Sequence, residues 1–411
     1  MNNEKQNIIP ELRFPEFEND GDWSIRSIEE NIDMISGIAL KSKELSDDKS
    51  GTPILRGINI TEGHIRHSRE MDKFYLGDTS EICKYLVEEN DIVIGMDGSK
   101  VGKNVSLVSK IDVGSILIQR VARIRAIDAD IKYLYQNFIS QRFRTYVDNV
   151  NTSSGIPHIS AKQIRNYEIG FPPKFKEQQK IANCLFSLDE VITAESEKLD
   201  LLQDHKKGLL QQLFPKQGET QPQYRFPEFV NDVDWEEKEV GEIFEVTRGY
   251  VLSMSLVSEK RTEEKHYPVY SSQTKNNGLA GFYNEYLYEN AITWTTDGAN
   301  AGDVNYREGK FYCTNVCGVL LSDKGFANRC IAEIINSVAK KHVSYIGNPK
   351  LMNGVMSKII ISVPPLKEQE KIANCLTNID DLLGAQALKI KALKKHKKGL
   401  MQQLFPNVNS I

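Results

Sequence analysis

Between Glu177 and Phe214 the chain has no proline and one glycine, and its apolar residues recur at alternating spacings of four and three. Positions 181, 185, 188, 192, 195, 199, 202, 206, 209 and 213 read Ile, Leu, Leu, Ile, Glu, Leu, Leu, Lys, Leu, Leu. That rhythm keeps one apolar seam on the same side of a helix and predicts a long coiled-coil partner. A second stretch, at 372, 376, 379, 383, 386, 390, 393, 397, 400 and 404, repeats it as Ile, Leu, Ile, Leu, Gln, Ile, Leu, Lys, Leu, Leu. Both seams break at matching places, Glu195 with Gln386 and Lys206 with Lys397. A polar seam residue costs stability but fixes register, which makes these four the candidate register-setting positions; the alternative is that long lysine stems snorkel from the seam's edge. Pro172-Pro173 and Pro364-Pro365 precede the two stretches, and Phe214-Pro215 and Phe405-Pro406 end them, as proline punctuation requires. Each seam runs 32 residue steps. At about 1.5 Å per residue that is roughly 48 Å.

Elsewhere the pattern shortens to β-branched runs: TPILRGINI, NDIVIG and SILIQRVARIRAI in the first half, YPVYSS and CGVLLS in the second. Each half adds one helical stretch, DIKYLYQNFISQRFRTYVDNV and ANRCIAEIINSVAKKHV. The fold class read from this is α+β, with two globules at 1–170 and 216–362 and helical segments at 171–215 and 363–411.

The chain is also written twice. RFPEFENDGDW (13–23) returns as RFPEFVNDVDW (225–235), KEQQKIANCL (176–185) as KEQEKIANCL (367–376), and HKKGLLQQLFP (205–215) as HKKGLMQQLFP (396–406). Between these blocks the segments 24–154 and 236–346 diverge, but ENDIVIGMDGSKVG still matches ENAITWTTDGANAG, and Gly155-x-Pro157-His158-Ile159 matches Gly347-x-Pro349-Lys350-Leu351. Internal repeats of this length decide the architecture before any single motif does.

One motif invites a different reading. GMDGSKVGKN (95–104) resembles a phosphate loop, but Asp97 takes the first glycine position and Asn104 replaces the magnesium-binding hydroxyl. In the second copy Asn300 and Asp303 replace the lysines. A phosphate-binding loop would keep its cation, whereas a turn that displays variable side chains keeps only its glycines.

Composition adds bounds. With 26% charged and 40% apolar residues, 411 residues describe a soluble globular protein of two or three domains. No signal-peptide pattern opens the sequence and no apolar run approaches a bilayer span, so the expected compartment is cytoplasmic. The six cysteines include Cys313-x3-Cys317 without a second pair, so no metal site is expected. A net charge of −4 argues mildly against nucleic acid, yet residues 98–125 hold six cations (Lys100, Lys103, Lys110, Arg120, Arg123, Arg125) against the single acid Asp112. Residues 340–358 hold Lys340, Lys341, Lys350 and Lys358 with no acid. Patches of this kind supply the counterion-release term that holds a DNA duplex.

Two diverged globules, each followed by a near-identical helix opening with Pro-Pro…Lys-Glu-Gln and closing with Gln-Gln-Leu-Phe-Pro, resemble the specificity subunit of a type I restriction-modification enzyme over essentially the whole chain. The resemblance implies two pseudo-symmetric target recognition domains, each reading half of a bipartite double-stranded DNA sequence, separated by two helices packed as an antiparallel coiled coil. It implies two modification (methyltransferase) subunits and restriction/translocase subunits as partners, with S-adenosylmethionine, ATP and Mg²⁺ bound there and no cofactor or membrane for this chain. The residues agree on the absence of catalysis: neither Pro-Pro pair sits in an Asn/Asp-Pro-Pro-aromatic motif, and the Ser154, His158, Ser160 group has no counterpart in the second copy. The alternatives are a coiled-coil scaffold without DNA, or a nucleotide-using enzyme at 95–104.

The expected DNA-facing surface combines the displayed turn, the basic strand and the Gly-x-Pro turn: Gly98, Ser99, Lys100, Lys103, Asn104, Arg120, Arg123 and His158 in the first half, and Gly298, Asn300, Asn315, Asn348 and Lys350 in the second. The identical blocks are expected to dock two copies of one partner through Glu177, Gln178, Asn183, Glu368, Gln369 and Asn374.

Overall fold

The run NDIVIG becomes the strand Ile92–Gly95, buried on both faces, in a computed structural model that describes residues 7–151, 156–216, 219–272 and 275–406. Its side chains divide with period two: Ile92 and Ile94 face the main core, Val93 a smaller cluster with Leu55, Leu117 and Val121. Ile32–Ser36, Val121–Ala126, Ile92–Gly95 and Val105–Leu107 form, in that order, an antiparallel sheet. Beside it Thr52–Leu55 pairs parallel with Ile116–Leu117 and antiparallel with Lys73–Tyr75. The helices Ile131–Phe138 and Gln141–Val150 cover the core face through Tyr133, Leu134, Phe138, Phe143 and Val147.

The chain divides into two compact units, residues 1–195 with 390–411, and residues 196–389. The second unit repeats the frame of the first almost bond for bond. Ile292 pairs with Leu320 as Ile92 pairs with Ile124, Thr295 with Cys317 as Gly95 with Val121, and Tyr270 with Cys313, in parallel, as Leu55 with Leu117. The isolated bridge Ser258 to Phe282 mirrors Ser46 to Phe74. Cys313 and Cys317 therefore occupy packing positions held by Leu117 and Val121. Burial pushes both thiols up, Cys317 to about 11.

Two expectations are corrected. The first helical stretch is not continuous: Ser140, extended in backbone, accepts the Phe143 N–H at 3.2 Å and donates to the Asn137 carbonyl at 2.6 Å, ending one helix and capping the next. SILIQRVARIRAI is likewise two strands, Ile116–Leu117 and Val121–Ala126, turned at Gln119-Arg120.

The units differ where residues 108–115 in the first stand in place of 307–311 in the second. There the second unit keeps one strand, Val304–Cys313, so six of its strands form a single sheet. In the first unit the longer segment loops out around buried Asp112, which accepts from Ser109 Oγ at 2.6 Å and meets His67 Nε2 at 2.8 Å. Burial alone lowers the His67 pKa, but Asp112 and Asp72 outweigh it and hold the imidazole above its ordinary 6.5. A raised folded value stabilises fully below about pH 6.5 and loses that contribution as the pH rises through the folded value. Amides in 108–115, corrected for intrinsic exchange, should thus be better protected at pH 6 than at pH 8, and His67→Gln should abolish the difference. An equal pH response in the variant would assign the effect elsewhere.

The long seams form helices Phe175–Leu213 and Leu366–Leu404. In the first unit Ile181 and Leu185 share a core with Leu400, Leu404 and Phe405; in the second, Ile372 and Leu376 share one with Leu210 and Phe214. The beginning of each helix meets the end of the other, so the segments within each unit run antiparallel. Among the described residues no helix is long and apolar enough to cross a membrane.

Candidate nucleic-acid interface

The displayed turn and the residues around the Gly-x-Pro turn, about sixty positions apart in the first unit, come together in both halves. Asp97 bridges His158, and Asp297 bridges Lys350. The Gly98 N–H donates to the Pro157 carbonyl at 3.0 Å and the Gly298 N–H to Pro349 at 2.9 Å, while Ile159 N–H reaches Met96 and Leu351 N–H reaches Thr296. Gly155, the first residue of the first such turn, lies outside the described residues. Gly102 and Gly302 are required twice over: each has φ near +80°, and a Cβ there would lie 2.9 Å from Val147 or Val343. They let the turn rest on the neighbouring helical segment with its tip outward.

At the first tip Ser99, Lys100 and Lys103 are exposed, as are Gln119, Arg120 and His158 across the strand end. Asn104 is half-buried and closes the hairpin, its carbonyl accepting from the Gly95 N–H at 2.9 Å. Arg120 Nη1 donates to Asp97 Oδ2 at 2.9 Å. Asp97, Ser99, Lys100, Asn104, Gln119 and Arg120, with Arg56, border an open cleft of about 560 Å³. The second tip is closer to neutral. Lys350 Nζ stands 3.7 Å from Asp297 and Lys340 Nζ 2.6 Å from Asp303, and Asn300 donates to the Ser272 carbonyl at 3.3 Å. Asn315 and Asn348 are exposed beside this tip and on the loop closed by Ser344 and Lys350.

The basic strand is corrected. Arg123 is 2% exposed and bound to Asp33 at 2.5 Å, and Arg125 is held by Asp91 and Glu88, so both guanidiniums are spent on carboxylates of the same unit. Alternation along Val121–Ala126 puts both on the side of the small cluster, a period-two signal already present in the sequence. Arg56 and Gln119, which line the cleft, escape sequence reasoning because nothing local marks them; only the register with Ser271 and Asn315 does.

The repeated blocks prove to be one joint, built twice. Glu177, 0% exposed, accepts from Arg13 Nε at 2.7 Å, Arg13 Nη2 at 2.8 Å and Trp23 Nε1 at 3.3 Å. Glu368, 1% exposed, accepts from Arg225 Nε at 2.9 Å, Arg225 Nη2 at 2.8 Å and Trp235 Nε1 at 3.2 Å. Hydrogen bonding to these carboxylates raises both guanidinium pKa values. Gln178 Oε1 accepts the Asp130 N–H at 3.0 Å, and Gln369 Oε1 accepts from Asn328 at 2.7 Å, tying each long helix to the start of a globule helix. The expectation that Glu177, Gln178, Glu368 and Gln369 form a docking face is thus corrected: they are buried inside the fold. Asn183 and Asn374 are exposed.

The seam lysines each find an acid on the opposite helix. Lys397 Nζ lies 2.6 Å from both Asp189 oxygens, and Lys206 Nζ lies 2.8 Å from Asp380. Gln136 and Arg329 bind the same two acids from the globules. Burial lowers the pKa of both lysines, with the Asp189 bond opposing it at Lys397. Glu195 is half-buried and Gln386 buried on their helices.

A family model described as the type I restriction modification DNA specificity domain matches residues 20–204 and 232–395. A putative type I specificity subunit of Mycoplasma pneumoniae, S.MpnORF365P, is 33% identical over 237 residues, 57% of this chain and 83% of that protein. The putative MjaX specificity subunit of Methanocaldococcus jannaschii is 25% identical over 412 residues, 93% of each chain. The crystal structure of a type I restriction-modification S subunit from M. genitalium has the same fold, with TM-score 0.66 at 19% identity over 98% of this chain and 100% of that one.

Proposed function

Because the chain belongs to the family of type I restriction-modification DNA specificity subunits, we propose that each unit reads one half of a split DNA target from its paired turns, Asp97–Gly98 with His158 and Asp297–Gly298 with Lys350. The observation that carries this is the combination of a shared hydrogen-bond register with divergent exposed tips. In both units the residues that differ at the tips are exposed or half-buried, and those that build the frame beneath them are buried. The chain itself supplies positioning and no catalysis. Methyl transfer from S-adenosylmethionine and the ATP- and Mg²⁺-dependent steps belong to modification and restriction subunits assembled on it. Incubating the chain with its modification subunits and a random duplex pool, then sequencing methylated sites, should return two short motifs separated by a fixed gap. A pool methylated without sequence preference would remove the proposal.

Docking of two modification subunits would use what the blocks repeat but do not bury, with Asn183 and Asn374 at the centre. Asn183→Arg alone should leave assemblies with one modification subunit, and Asn183→Arg with Asn374→Arg should leave none, as read by native mass spectrometry. A two-to-one assembly in the double variant would move the docking surface elsewhere.

A further inference from the structure

Register identity between the units allows their reading tips to be compared position by position. The Met96 N–H donates to the Arg120 carbonyl at 2.9 Å, and the Thr296 N–H to the Val316 carbonyl at 3.0 Å, so Arg120 and Val316 are equivalent, as are Gln119 and Asn315. Arg120 has φ of +68°. A side chain other than Gly, Asn or Asp is strained in that region, and a fold keeps such strain where the side chain's placement is used. Here the guanidinium stands at the mouth of the cleft, its side chain 67% exposed, with one Nη1 bond to Asp97. Asp97 is itself fixed by its backbone bridge to His158. One donor spent on Asp97 leaves the Nε–Nη2 edge open, and that edge matches the O6 and N7 acceptors of guanine in the major groove.

We infer that Arg120 reads a guanine in the half-site of the first unit, with Asp97 as its positioning carboxylate. The second unit, with Val316 at that place, lacks this contact. This rests on the proposed DNA reading of the two units and adds the base it selects. The test compares sites methylated by complexes reconstituted with the unaltered chain, Arg120→Gly and Asp97→Asn. Glycine suits the left-handed backbone, so Arg120→Gly should melt no lower than the parent. It should relax one guanine in one half-site by about ten- to a hundredfold, leaving the other half-site unchanged. Asp97→Asn should weaken the same position less. A loss of affinity equal for all sequences would make Arg120 a phosphate contact and overturn the inference, as would relaxation at a base pair without guanine. No split motif with the unaltered chain would instead remove the underlying DNA reading.

Discussion

Glu177→Ala is expected to cost about 3–5 kcal/mol, because it strands the buried Arg13 guanidinium and the Trp23 indole N–H together. The carboxylate ties the N-terminal segment of the first globule to the long helix after it through three bonds at one place. Chemical denaturation with hydrogen exchange would show the loss concentrated in 92–95 and 121–126, with 292–295 and 317–321 affected less. Glu368→Ala should give the mirror result through Arg225 and Trp235. Replacing the pair together, Arg13→Met with Glu177→Leu, should recover much of the loss, since no charge is then left unpaired. A cost below about 1 kcal/mol for Glu177→Ala would place it among ordinary surface pairs.

The second large effect concerns the gap between half-sites. Four residues inserted between Leu199 and Asp200, and four between Ile390 and Lys391, add about 6 Å to each helix and rotate its downstream portion by about 40°. Inserted in both helices, they keep the seams matched. The methylated sites should then keep both motifs with the gap longer by one or two base pairs. Inserted in one helix only, they keep the Lys397–Asp189 and Lys206–Asp380 pairs from forming together, and poor folding should dominate. An unchanged gap in the double insertion would show that something other than helix length sets it.

Helices and repeats are legible in the sequence because their signals are periodic and long. The seam positions and the proline punctuation can be placed by counting, and the two turns by comparing the copies. The joint is visible as identity but not as chemistry: Arg13, Trp23 and Glu177 lie in different blocks, and only the folded chain puts them together. Helical periodicity alone therefore assigns Glu177 and Gln178 to the surface, since nothing in a helical wheel says that a segment far upstream will cover them. The frame shared by the globules is hidden for another reason. What repeats there is hydrogen-bond register, which tolerates Leu117 becoming Cys313 and Ile94 becoming Trp294, so it leaves little trace in residue identity.

The core of the first unit includes Leu404 and Phe405; Phe405 packs edge-on to Tyr133 at 5.6 Å, and the Leu12 N–H bonds to the Gln403 carbonyl at 3.0 Å. The second unit is a single uninterrupted stretch, 196–389. During synthesis the order of completion should therefore run against the order of translation. Ribosomes commonly finish N-terminal domains first, but here the globule made first waits, with Tyr133 and Trp23 uncovered, until residues 400–405 leave the exit tunnel. The globule made second can close before that. A nascent chain with residues up to about 390 outside the tunnel would carry one finished unit and one exposed apolar face, which makes the early half of the nascent chain the part in need of a chaperone.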